Sequence, residues 1–93
     1  MTELWCILTF TKAARGDSVR GESWYATKSE AVAKMNAWKD YRSDVYEMHL
    51  VKGWFLQLSK PALWVAAMNH SLNAEETKVM KIWNRDSKKE VTV

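Results

Sequence analysis

A chain of 93 residues, 47% hydrophobic and 27% charged with three Gly and one Pro, has room for one compact core. That composition excludes a disordered or low-complexity polymer, and the length excludes a core plus a deep, separately walled active site. Fourteen Lys and Arg against eleven Asp and Glu leave a net charge of +3, which permits an anionic partner without demanding one.

The N-terminal run MTELWCILTF carries Glu3, lacks a basic leading segment and reaches Thr9 too soon for a signal peptide or a membrane span. The single Cys6 rules out an internal disulfide, and together these features lead us to expect a cytoplasmic protein in a reducing compartment. Residues 4–12 alternate as a first strand. Leu4, Cys6, Leu8 and Phe10 form the face expected to be core, while Trp5, Ile7, Thr9 and Thr11 form a face that starts apolar and ends polar. That second face is expected to be covered at one end only. Residues 13–21, AARGDSVRG, hold Gly16-Asp17 and Gly21 and predict a reversal into a second strand ending at Ala26. The hairpin tip carries Arg15 and Arg20, either a solvated turn or a basic finger for phosphate or carboxylate.

Thr27-Lys28-Ser29-Glu30 fits the S/T-x-x-E capping box, so a helix begins there. Ala31, Val32, Met35 and Trp38 then recur as one apolar stripe, and Glu30 and Lys34 form an i,i+4 pair beside it. Residues 40–44 read as the exit loop and 45–52 as a returning strand rich in β-branched and aromatic residues. Lys52-Gly53 predicts a two-residue hairpin turn into a fourth strand over 54–58, with a bulge at Gly53 in one long strand as the alternative. Ser59-Lys60-Pro61 is a helix-start signal for a helix over 62–70. Asn73 and Glu76 repeat the cap spacing and predict a second C-terminal helix through Arg85, with Val79, Met80, Ile82 and Trp83 as its apolar positions. Residues 86–93 read as a frayed tail in preference to an edge strand through Val91-Thr92-Val93. The expected fold is therefore one α+β domain over 1–85, ordered ββαββαα. Its antiparallel sheet has three to four strands, with a central helix on one face and two C-terminal helices against the other face or the sheet's end.

Six Trp, at positions 5, 24, 38, 54, 64 and 83, fall about one to each predicted element, which suits core filling. So many indoles are hard to enclose in a body this small, and an exposed Trp beside Arg has the composition of a binding hot spot. The sequence holds no nucleophile elbow, Walker loop, dinucleotide fingerprint or zinc-ligand spacing. His49, His70 and Cys6 fall on separate predicted elements, so neither catalysis, a metal nor a cofactor is expected; His70 suits the dipole at a helix end.

Binding remains. The strand and capped helix in WYATKSEAVAKMNAW, followed by a returning strand, resemble in style the small accessory and inhibitor proteins of bacteriophages, including anti-CRISPR proteins. The resemblance implies a non-enzymatic protein that occupies a surface of a host protein or nucleoprotein complex. The residues expected to meet that anionic surface are Arg15, Arg20 and Trp24 at the first hairpin, and Lys78, Lys81 and Arg85 along the last helix. The competing reading is a DNA- or RNA-binding regulator that uses the basic C-terminal helix pair. Its turn Ser71-Leu72-Asn73 lacks Gly, and Glu75-Glu76 occupy the helix start that should face phosphates. Neither reading calls for a membrane or a small-molecule substrate.

Overall fold

The computed structural model describes residues 2–12, 16, 18–55, 61–62, 74 and 76–93. Five strands and one helix follow in order: β1 (Thr2–Lys12), β2 (Ser18–Tyr25), α1 (Lys28–Tyr41), β3 (Val45–Phe55), β4 (Glu76–Asn84) and β5 (Lys89–Thr92). The strands form one sheet in the order β2-β1-β3-β4-β5, with every neighbouring pair antiparallel. Because β2 and β3 both run against β1, the chain must cross β1 between them, and α1 makes that crossing on one face of the sheet.

The helix starts where the cap predicts. Thr27 is extended, at φ −130° and ψ 154°, and its Oγ1 accepts from the Glu30 backbone N–H at 3.3 Å. The return contact runs from the Thr27 hydroxyl to Glu30 Oε1 at 3.2 Å. The expected apolar stripe faces the sheet: Ala31 and Met35 are fully buried, and Val32 and Trp38 pack beside them. Their partners are Trp5 and Ile7 of β1, Val45, Met48 and Leu50 of β3, and Trp83 of β4.

That packing reverses the assignment of faces on β1. The helix covers the odd positions, and Thr9 is buried there opposite Gly21. A Cβ on Gly21 would lie 2.5 Å from Thr9 Oγ1, so the small residue on β2 makes room for the hydroxyl. The even positions divide instead. Leu4 and Cys6 are buried, whereas Leu8 and Phe10 stay half exposed. Leu4 and Phe55 form a second small core on this side, closed by Trp24 and Ala74.

Three expectations after residue 52 are corrected. There is no hairpin at Lys52-Gly53, and no bulge at Gly53 either. β3 runs straight through it, with Gly53 opposite Leu4 and Thr77, and the register shifts lie at Phe10/Thr11 and Leu50/Val51. The physical reason for the glycine is crowding: a Cβ there would stand 3.2 Å from ring carbons of both Phe55 and Trp24. The second C-terminal helix is absent, because 76–84 is strand β4, hydrogen-bonded along β3. Thr77, Val79 and Ile82 suit a strand, and the long edge of β3 supplies ladder partners that no local signal reveals. The expected tail contains β5, which pairs Lys89 to Thr92 with Asn84 to Lys81. Its turn is made by Lys88 in the left-handed region, φ 53°, and by Asn84 Oδ1 accepting from the Ser87 N–H at 3.1 Å. The fold is thus a five-stranded antiparallel sheet with α1 as its helix among the described residues, in place of ββαββαα. Of the helix predicted over 62–70 only Ala62 is described, so it lies outside the described residues, as do the second half of the predicted 54–58 strand and His70. Among the described residues no helix is long and apolar enough to cross a membrane.

Candidate functional site

The face of the sheet turned away from α1 gathers the chemistry. Register fixes which side chains share it: Ser18, Arg20, Glu22 and Trp24 of β2 lie opposite Lys12, Phe10, Leu8 and Cys6 of β1, which lie opposite Glu47, His49 and Val51 of β3. The shift at Phe10/Thr11 places Tyr46 on this face as well, where its hydroxyl is 2.7 Å from Ser18 Oγ. Phe10 stands at the centre of an aromatic ridge, 4.8 Å from the His49 ring and 6.4 Å from the Tyr46 ring, all three half exposed. Lys12 lies over the Tyr46 ring at 5.5 Å.

Beside the ridge is a depression of about 250 Å³ whose lining includes Cys6, Leu8, Arg20, Trp24, Val51 and Thr77. Trp24 is held there at both ends. Its ring meets Phe55 edge-on at 5.5 Å, and its indole N–H donates to Glu22 Oε1 at 2.6 Å. The Cys6 thiol below is pushed up to about 12, first by burial and then by the Glu22 carboxylate, so it stays protonated. His49 turns to a carboxylate: its Nε2 lies 2.8 Å from Glu47 Oε2, and Asn84 Nδ2 donates to the other oxygen of that carboxylate at 3.2 Å.

The charge balance of this face is one-sided. Its two carboxylates each hold a hydrogen-bond partner within the chain, Trp24 for Glu22 and His49 with Asn84 for Glu47, while Lys12, Arg20 and Lys89 have no ion-pair partner among the described residues. On the helix side three lysines are paired, while Lys78 has no ion-pair partner among the described residues. Lys39 and Lys81 both bind Glu90, at 2.8 and 3.5 Å, and Lys52 binds Glu3 at 3.2 Å.

The residues expected from sequence to form the contact therefore separate. Arg20 and Trp24 are brought together on β2 at the depression. Lys78, opposite Lys52, and Lys81, opposite Leu50, fall on the helix side of β4, and Lys81 is engaged by Glu90. Arg85 is a structural clamp: its guanidinium donates to the carbonyls of Val45 at 2.8 Å, Lys39 at 3.1 Å and Arg42 at 2.8 Å, and lies 4.8 Å over the Trp83 ring. Arg15 lies outside the described residues. Phe10, Lys12, Tyr46 and His49 were not expected in the site. The alternation of β1 already put Phe10 in register with Leu8 and Cys6, and only the assumption that this row was wholly core concealed it.

In comparisons with protein-family models, curated proteins and solved structures, the chain matches none.

Proposed function

We propose that this chain is a small non-catalytic binding protein that docks the sheet face turned away from α1 on an anionic surface of a protein or nucleoprotein complex. The observation that carries the reading is the coincidence, on one face, of a half-exposed aromatic ridge with three cations, Lys12, Arg20 and Lys89, that have no ion-pair partner among the described residues. Aromatic rings on a rigid sheet supply contact area at low entropic cost, and unpaired cations at their rim select an acidic partner. The phage-like style of the β2-α1-β3 segment favours an inhibitor that works by occupying its target, acting in the host cytoplasm. Contacts through a basic C-terminal helix pair are not part of this reading, since 76–84 is a strand.

The test is capture from host lysate with and without nuclease, comparing the unaltered chain with Lys12→Glu/Phe10→Ser on the free face and Lys78→Ala on the helix side. A partner retained after nuclease, lost by the first variant, kept by the second and weakened as salt rises is the expected result. Capture that survives the free-face substitutions, or that vanishes entirely with nuclease, overturns the proposal in its protein-surface form.

A further inference from the structure

The outer edge of β2 is a second surface; it shares Arg20 with the sheet face turned away from α1 and leaves Lys12 and Lys89 to that face. β2 ends the sheet, and among the described residues its eight positions pair only with β1. Ser18, Val19, Arg20 and Glu22 are exposed, Val19 by 49%. We infer that two copies of this chain join through β2, antiparallel about a two-fold axis at Gly21, into one continuous sheet.

The sequence of the edge specifies that register. β2 carries one cation and one anion, Arg20 and Glu22, flanking Gly21 and both on the side turned away from α1, opposite Phe10 and Leu8. With the axis at Gly21, Arg20 of each copy faces Glu22 of the other, twice by symmetry, and Val19 faces Ser23. The groups are available for this. Arg20 has no ion-pair partner among the described residues, and Glu22 uses only Oε1 for the Trp24 indole, which leaves Oε2 for a guanidinium. Moving the axis one residue either way, to Arg20 or to Glu22, sets like charges directly opposite each other, which disfavours those registers. An axis at Gly21 also brings no side chains into collision on the helix side, where the two glycines meet. Charged residues on an edge strand usually block pairing, but here their spacing is self-complementary.

The other edge lacks this match. β5 has four residues; its Glu90 is taken by Lys39 and Lys81, and pairing about Val91 would leave Lys89 facing Val93. Joined through β2, the two faces turned away from α1 lie side by side on the same side of one sheet; on the proposed function, a target presenting two acidic patches is gripped twice.

Sedimentation velocity and light scattering on the full chain test the inference, with Arg20→Glu, Glu22→Arg and the double reversal Arg20→Glu/Glu22→Arg. The unaltered chain is expected at twice its 10.8 kDa mass at about 100 μM. Each single reversal puts like charges opposite and should weaken association by about tenfold or more, and the double reversal should restore it to within about threefold. Arg20 is exposed and has no ion-pair partner among the described residues, so Arg20→Glu reports on association, with thermal melting as the check that the fold is intact. A chain that stays monomeric up to about 1 mM, single reversals that associate as tightly as the parent, or a folded double reversal that remains dissociated each overturn it.

Discussion

Arg85 shows how far a residue's place can depart from its type. Its three guanidinium donor groups satisfy carbonyls at the end of α1, in the following turn and at the start of β3, where a positive group also meets the negative end of the helix dipole. Arg85→Ala leaves these half-buried carbonyls short of a donor and is expected to lower stability by about 2 kcal/mol, read as the urea midpoint. Arg85→Lys should recover little, because one ammonium cannot address three carbonyls set apart in space. Lys78→Ala, at an exposed position, should change stability by no more than about 0.5 kcal/mol. Nothing in the sequence distinguishes these two basic residues. Cys6 is the opposite case, since its apolar strand already marked it as a buried thiol. Because folding raises its pKa from 9.0 to about 12, its contribution is intact below pH 9 and is lost as pH rises from there toward about 12. Native chain should resist a thiol reagent at pH 8 and react once unfolded in urea. The fall in stability above pH 9 should be shallower in Cys6→Ala.

Among elements, α1 was legible because its signals are local. A cap, a stripe and a pair of flanking strands all lie within residues 18–55, and each is a local property of the chain. Thr27→Ala should cost about 1 kcal/mol, seen as a lower melting temperature without loss of sheet. β4 was not legible, since Val79, Met80, Ile82 and Trp83 satisfy helical spacing as well as they satisfy a strand, and what decides is the vacant edge of β3. Gly53 misled for a related reason. A glycine between two apolar runs reads as a turn, but here it makes room for aromatic rings from β2 and from β3 itself. Gly53→Ala should therefore destabilise by about 1–3 kcal/mol through overpacking, measurable by denaturant titration, and should leave the strand continuous.

At the scale of the molecule, the two faces of the sheet differ in how their charges are used. On the helix side Glu90 ties β5 to α1 through Lys39 and to β4 through Lys81, and the Lys39 hydrogen bond holds its carboxyl below the usual carboxylate range. With the folded pKa lowered from 4.5, the tie is present above that value and is lost as pH falls through the lowered one. Amide exchange in β5 should accelerate on acidification relative to β1, and Glu90→Gln should remove the pH dependence. On the face turned away from α1, Lys12, Arg20 and Lys89 have no ion-pair partner among the described residues, so rising ionic strength should weaken the proposed docking more than it lowers stability. Salt titration of both properties on one sample separates them.

The sequence by itself determined the capped helix, its sheet-facing stripe, the strands around it and the burial of Cys6, because each follows from spacing along a short run of chain. Tertiary structure alone decided which side of β1 the helix covers, that 76–84 extends the sheet, and that Arg85 clamps backbone while Arg20 and Trp24 share a depression. Those outcomes depend on which distant strand supplies hydrogen-bond partners and room for side chains, quantities that no stretch of chain carries on its own.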